Sequence, residues 1–374
     1  MAWRVKTVHF QAAVLHQTRT PLQIETVRLT ELRPTDVLVQ LHASGLCHTD
    51  LEVIEGDLPY PLPIVLGHEG AGIVEAIGSE VSHVKVGDPV ICSWNPHCGL
   101  CFYCQRQQPI LCEPFTRHQP AGHMLDGDSR YRLGNEVLHH FSVVSSHAQY
   151  CVVPASGAIP IPRDMPLVPA CLIGCGVMTG VGAVVRKAQV SPGSLVAVVG
   201  AGAVGLNVVQ GAVIANAARI LVIDQDPQRL VLARQLGATD TLMAHEQIVD
   251  EVRTLTAGRG ADFVFEAAGN ERTLQISLEI TRPGGHLVIL GKTHVNRQVA
   301  LRFGSLMGDK QIVRSSYGGS SPLRDFPWLC SLYLQDKLKL DELIDHQLPL
   351  SRINEGFDLM RQGAAVRTVI HMDH

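Results

Sequence analysis

Four cysteines, Cys98, Cys101, Cys104 and Cys112, stand in a C-x2-C-x2-C-x7-C run. With ten cysteines in 374 residues, that spacing is a poor accident. Four soft thiolates with no open position suit a tetrahedral structural zinc. An iron–sulfur cluster also takes four thiolates, but its bacterial run ends C-x3-C-P. A nucleic-acid zinc ribbon would need cations, and residues 98–112 hold only Arg106. The quartet reads as structural.

A second chemistry sits further along. Gly200-Ala-Gly202-Ala-Val-Gly205 follows a β-branched run and opens a helix-length segment. Alone the pattern is weak in a chain with 34 glycines. Its context is stronger, because Asp224 ends the next apolar run 19 residues after Gly205. Such glycines let a dinucleotide pyrophosphate approach a helix N-terminus, and the carboxylate takes a ribose 2′-hydroxyl. An acid at 224 repels a 2′-phosphate, so NAD is expected over NADP. An ordinary glycine-rich turn and a methyltransferase of similar fold are the competing readings.

Other ligand types are dispersed: Cys47-His48-Thr49-Asp50, Gly67-His68-Glu69-Gly70, and Cys175 between two glycines. Singly, each is more often packed than ligating, and spacing cannot bring them together. Two thiolates and an imidazole would nevertheless leave a fourth zinc position for water or an alcohol.

The elements that must hold these groups fall into two rhythms. Residues 37–45, 70–78 and the stretch after Lys85 are short β-type runs punctuated by Gly and Pro. From about residue 178, solid apolar runs (SLVAVVG, RILVID, DFVFEAAG, GHLVILG) alternate with helix-length segments at 203–217, 227–237 and 271–281. That alternation predicts a doubly wound parallel sheet. Mixed elements return after about 318, with a late helix near 352–362. The expected fold class is α/β, with a Rossmann domain over 178–318 inserted into an irregular β-rich domain made of 1–177 and 319–374. Composition agrees: 46% apolar and 18% charged residues support a large core, and a net charge of −4 argues against nucleic acid as a partner. Residues 167–185 and 191–218 carry no formal charge, yet Pro169 and several glycines interrupt them, so no membrane span is expected. The opening MAWRVKTVHF lacks the pattern of a secretory leader, and a cytoplasmic location is expected.

The sequence resembles the zinc-dependent medium-chain alcohol dehydrogenases along essentially its whole length. The matching segments are ASGLCHTD, LPIVLGHEGAGIVE, VGDPV, CGLCFYCQRQQPILC, LIGCGVMTGVGA, the GAGAVG…VID pair, LIDHQLPLSRINEGFDLM and VRTVI. The Cys loop and HHFSVVSSHAQY are similar to the branch holding classical, glutathione-dependent formaldehyde and aryl-alcohol dehydrogenases. The resemblance implies a GroES-like catalytic domain, with two zinc ions per chain and NAD as cofactor. It makes Cys47, His68 and Cys175 the catalytic zinc ligands, with Asp50 bonding His68 from behind and Glu69 lying behind the metal. Thr49 would take the substrate proton. His48 and Arg367 would face the pyrophosphate and Thr179 the nicotinamide, while Val204 and Arg229 complete the cofactor set. Trp94 and Phe141 would line the substrate cleft between the domains, with core packing the competing reading for both.

One position departs from the pattern. Where many relatives end a proton relay on histidine, this chain has Glu52, so either Glu52 or water carries the proton out. The implied reaction is reversible oxidation of a primary alcohol, apolar and aromatic or allylic, to the aldehyde. The alternative is a formaldehyde–glutathione adduct, S-(hydroxymethyl)glutathione, whose carboxylates would need Arg117, Arg130 or Arg132. A non-enzymatic zinc protein with a vestigial nucleotide fold is the rival from another class. The resemblance also implies a homodimer or homotetramer joined near GGHLVILG to YGG, with no partner beyond a small alcohol or aldehyde.

Overall fold

The computed structural model describes residues 8–294 and 296–373, so most of the N-terminal stretch tested for a leader lies outside the described residues. The chain divides into two compact units. The first comprises Met1–Cys175, Ser321–Asp336 and Leu340–His374; the second comprises Gly176–Ser320 with Lys337–Lys339. These limits differ from the expected 177/178 and 318/319. The first boundary falls inside a helix, where no loop marks it. Lys337–Lys339 join the second unit because Gln210 clamps Lys339, donating to its carbonyl at 2.9 Å and accepting from its N–H at 2.7 Å.

The first unit combines a closed barrel and a seven-stranded sheet. The barrel runs His9–Leu15, Gln23–Leu29, Tyr131–Leu133, Glu136–His140 and Ile64–Val65. In the sheet, Asp36–Gly45 pairs antiparallel with Glu69–Ile77, Tyr150–Pro154 and Arg367–His371, so both ends of the chain build it. The register sets Gly45 opposite both Glu69 and Val369. Cys47, His68 and Arg367 therefore emerge at one end of the sheet, although they are far apart in sequence.

The second unit is a six-stranded parallel sheet. Its order is Asp240–Met243, Arg219–Asp224, Leu195–Val199, Ala261–Glu266, Thr281–Ile289, Gln311–Arg314. Outward growth from a central first strand is the doubly wound dinucleotide-binding order. Ala203–Ile214 is shorter than its predicted 203–217, because Asn216 turns left-handed at φ 56° and ends it. Pro227–Gln235 starts on Asp226, whose carboxylate accepts the Gln228 N–H at 2.8 Å. Glu271–Ile280 starts on a reciprocal Asn270–Thr273 cap. The late helix is Ile353–Arg361.

One expectation fails. Pro169 and the glycines do not interrupt 167–185, since Leu167–Ala188 is a single helical run of 22 residues. Pro169 lies in the first turn, where no donor is needed. Gly180 is there for close approach, as a Cβ would stand 2.5 Å from the Val204 carbonyl oxygen. By length and composition this helix could cross a bilayer, but 78% of its apolar window is buried inside the protein. Core packing accounts for its hydropathy.

The barrel core contains a buried imidazole. His140 stacks on Tyr131 with centroids 4.2 Å apart, and its Nε2 accepts the Arg130 N–H at 3.1 Å. Burial, aided by the Arg130 charge, pushes its pKa down to about 3. The folded state thus binds fewer protons than the unfolded chain below the ordinary histidine range. This stabilisation is complete above about pH 6.5 and lost as pH falls toward 3, on the order of 5 kcal/mol in all. Denaturant unfolding between pH 7 and 4 should show a flatter pH dependence in His140→Phe than in the wild type. That variant should also be about 1–3 kcal/mol less stable at pH 7, because the Arg130 N–H loses its acceptor.

Candidate active site

The cysteine quartet folds into its own lobe. The short helices Phe102–Gln105 and Glu113–His118 bring the Sγ atoms of Cys98, Cys101, Cys104 and Cys112 within 4.8 Å of one another. Thiolates about 2.3 Å from a tetrahedral zinc stand about 3.8 Å apart, so the donor set fits. Backbone N–H groups already point at sulfur: Cys98 to Cys112 Sγ at 3.3 Å and Glu113 to Cys101 Sγ at 3.5 Å. The Glu113 N–H draws the Cys101 thiol down to about 6. Cys112 and Phe115 anchor this segment to a buried core of the first unit, while Leu100, Phe102 and Leu111 are exposed.

The second cluster forms at the sheet end. Ligand atoms of Cys47, His68, Glu69 and Cys175 lie within 4.8 Å of one another. Cys47 caps the helix His48–Glu55, His68 precedes the strand Glu69–Ile77, and Cys175 sits in a π-helical turn, Ile173–Val177. Wide turns of this kind recur at functional sites. Asp50 ties the cluster together. It is wholly buried, and it accepts from the Cys47 N–H at 3.1 Å, the Gly67 N–H at 3.0 Å and His68 Nδ1 at 3.2 Å. A carboxylate only accepts, so Nδ1 carries the proton and Nε2 is left to a cation.

The electrostatics favour a cation. Burial opposes charge on His68, but Asp50 and Cys47 outweigh it and raise its pKa well above the ordinary value. A hydrogen bond from Cys175, with His68 and Arg367 nearby, holds the Cys47 thiol well below its usual range, while the same bond raises Cys175. Burial lifts Glu69 to about 7 against the pull of Arg367. Glu69 Oε2 is buried with no hydrogen-bond partner among the described residues. Two thiols and an imidazole fit zinc with a fourth position left for an alcohol, and this carboxylate stands in reserve beside them.

The remaining expected site residues fall unevenly around this cluster. Thr49 Oγ1 lies 3.8 Å from Cys47 Sγ. His48 is exposed at the helix start. Arg367 is buried instead, with Nη1 donating to the Leu46 carbonyl at 2.8 Å and Nη2 lying 3.1 Å from Glu69 Oε1; both nitrogens serve the cluster. Glu52 is half-buried on the same helix as Asp50. Phe141 is fully buried and stands edge-on to His68 at 5.5 Å. Trp94 packs on Phe115 at 6.3 Å and against both cores of the first unit. Tyr60 escaped the sequence reading: it meets Phe141 edge-on at 5.0 Å, and its hydroxyl contacts Gln119 Nε2. Its aromatic type just ahead of the LGHEG run was the available signal. Arg130 proves structural, spent on Asp36 and Asp126 at 2.6 Å each.

In the second unit, Gly200 adopts φ +99° between the strand Leu195–Val199 and the helix Ala203–Ile214. A Cβ at Gly205 would overlap the Gly200 carbonyl, whereas one at Gly202 would meet nothing within 4 Å. The loop is therefore tight on its inner side and open at the helix N-terminus, where free N–H groups attract anions. Asp224 Oδ2 accepts the Ala201 N–H at 2.6 Å, which braces this turn. Val204 lies in the first helical turn, and Arg229 stands 3.4 Å from Asp226 beyond Asp224. Thr179 precedes Gly180, which packs on Val204 and Asn207.

Residues 33–163 match the alcohol dehydrogenase GroES-like domain, and residues 203–335 match the zinc-binding dehydrogenase domain. A probable S-(hydroxymethyl)glutathione dehydrogenase of Schizosaccharomyces pombe is 38% identical over all of both chains. This chain belongs to the zinc-dependent medium-chain alcohol dehydrogenase family. A class-3 alcohol dehydrogenase of Drosophila melanogaster is also 38% identical, over 98% of each chain. Among solved structures, benzyl alcohol dehydrogenase of Acinetobacter calcoaceticus superposes with a TM-score of 0.93 at 30% identity, over 98% of this chain and all of that one. A zinc-binding alcohol dehydrogenase protein of Burkholderia ambifaria gives 0.94 at 35%, over 99% of this chain and all of that one. The chain is thus an NAD-dependent oxidoreductase of a family that carries catalytic and structural zinc.

Cys101→Ser should lower the zinc content from two per chain to one. It should destabilise the first unit by several kcal/mol, because structural zinc contributes folding energy directly. Metal analysis with thermal unfolding checks both; two zincs and an unchanged melting point would contradict the assignment.

Proposed function

We propose that this chain is an NAD-dependent alcohol dehydrogenase whose Cys47, His68 and Cys175 hold the catalytic zinc, with the quartet holding the structural one. The observation that carries the reading is the convergence of the Cys47, His68 and Cys175 ligand atoms to within 4.8 Å of one another, beside a buried carboxylate that dictates the His68 tautomer. Zinc and NAD, when bound, supply a Lewis acid for the alcohol oxygen and an acceptor for its hydride. Thr49 accepts the alcohol proton and passes it toward the cofactor ribose, and Glu52 or water completes the path. Asp50 keeps the proton on His68 Nδ1. Glu69, paired with Arg367, offers a reserve donor behind the metal. Phe141 and Tyr60 form a dry wall against His68. Gly200, Gly202, Gly205 and Asp224 take the cofactor, with NAD preferred over NADP. Thiol ligands support a reducing, cytoplasmic compartment. The exposed edge strand Gln311–Arg314 supports pairing of copies into a dimer or tetramer.

The substrate best supported is S-(hydroxymethyl)glutathione, the name borne by relatives in S. pombe and in Synechocystis at 38% and 37% identity. With Arg130 committed to its ion pairs, Arg117 is the stronger candidate for the adduct's carboxylates. It is exposed on Glu113–His118, two residues before the Gln119 contact with Tyr60. A second reading, an aromatic primary alcohol, is favoured by the edge-on Tyr60–Phe141 pair, with Phe141 against His68, and by the likeness to benzyl alcohol dehydrogenase.

Initial rates of NADH formation separate the two. The glutathione adduct should exceed benzyl alcohol in kcat/KM by about tenfold or more, and Arg117→Ala should raise KM for the adduct alone. The reverse order would select the aromatic reading, and no turnover of any alcohol would sink both. NAD should outperform NADP, and Thr49→Ala should cost about 10²–10⁴ in kcat. Glu52→Gln with an unchanged rate and pH profile would leave water as the proton's exit.

A further inference from the structure

Behind Asp50 lies a second imidazole that the reaction above does not use. His147 is completely buried, as are Ser44, Ser146 and Asp50. Its backbone is stitched to the residues just ahead of His68: the His147 N–H donates to the Leu66 carbonyl at 3.0 Å, and the Ser146 N–H donates to the Gly67 carbonyl at 3.0 Å. A Cβ at Gly67 would strike the His147 backbone nitrogen at 2.5 Å and its Nδ1 at 2.6 Å. His147 Nδ1 lies 2.9 Å from Ser44 Oγ, which is 2.7 Å from Ser146 Oγ. Nε2 has no hydrogen-bond partner among the described residues, and the carboxylate within ion-pair reach is Asp50, with Oδ1 at 3.8 Å. The Phe357 ring closes the other side at 6.0 Å.

We propose that His147 is a positioning residue for the metal ligand His68, acting through Asp50. Ser44 donates its hydroxyl proton to Nδ1, so the ring proton sits on Nε2 and its N–H dipole faces Asp50 Oδ1. That oxygen already accepts from Gly67 and from His68. The third positive pole keeps the buried carboxylate aimed, and the stitched backbone keeps Gly67 and His68 where Asp50 meets them. A buried N–H without a full hydrogen bond costs stability, which a packing role alone would have avoided with an apolar side chain. Partners in this outer shell typically change metal affinity or activity by about 10–100-fold.

The inference rests on the zinc reading above, and the test separates the two. Zinc release from the holoenzyme to a chromogenic chelator is followed together with the decay of activity, and kcat and KM for NAD are measured alongside. His147→Phe keeps the ring shape without the donor, while His147→Gln restores an N–H near the Nε2 position. The Phe variant should release its activity-linked zinc about tenfold faster and lose about tenfold in kcat, with KM for NAD within about twofold of wild type. The Gln variant should recover most of both. A Phe variant that matches wild type, or a Gln variant as impaired as Phe, overturns the proposal. If His147→Phe fails to fold, Ser44→Ala substitutes for it by removing the group that sets the tautomer, and unchanged zinc release there also overturns it. Wild type holding only the quartet's zinc would overturn the metal reading itself, and this inference with it.

Discussion

The first unit is organised around one buried carboxylate. Asp50 is taken entirely out of water, and three N–H groups from two segments compensate for that loss: Cys47, and the neighbours Gly67 and His68. An unpaired charge at that depth would be prohibitive, so the helix start at 48 and the turn at 67 must arrive together. Sheet register makes this possible by setting Gly45 opposite Glu69. Gly67, at φ +94° with no room for a Cβ, lets the turn close on the 146–147 segment. The geometry of this cluster follows from satisfying a single anion.

The two metal clusters show opposite ways of bringing donors together. The quartet draws its four thiols from fifteen consecutive residues, so its geometry closes locally. The other cluster draws on residues 47, 68 and 175 and is held by the sheet and a packed helix, so its shape comes from the fold. Its charges are arranged in advance: a depressed thiol at Cys47, a carboxylate that fixes the His68 tautomer, and Arg367 opposite Glu69. Such preorganisation is how an active site avoids rearranging polar groups during the reaction.

What was legible in the sequence tracks contact range. The quartet and the glycine turn declare themselves through spacing, because their geometry closes within a few residues. The parallel strands show as unbroken apolar runs, since both faces are buried. The meeting of Cys47, His68 and Cys175 came only through resemblance. The long helix 167–188 was misjudged because its glycines looked like breaks, whereas tertiary packing uses them for close approach. Arg130 could not be separated from Arg117 or Arg132 by residue type, and its ion pair with Asp36 spans 94 positions. Tyr60 and His147 were missed for the same reason: their partners lie across the barrel and sheet.

The strand Arg367–His371 has a consequence for biosynthesis. It pairs with Asp36–Gly45 and delivers Arg367 to Glu69, so the sheet of the first unit needs residues made more than 300 positions after that strand. The nucleotide unit, almost one contiguous stretch, can collapse while still tethered to the ribosome. The earlier-made half of the first unit must wait, with its sheet edge open, until residues 367–371 are translated. A nascent chain stalled before residue 367 would carry a mature cofactor module beside an unfinished reaction centre.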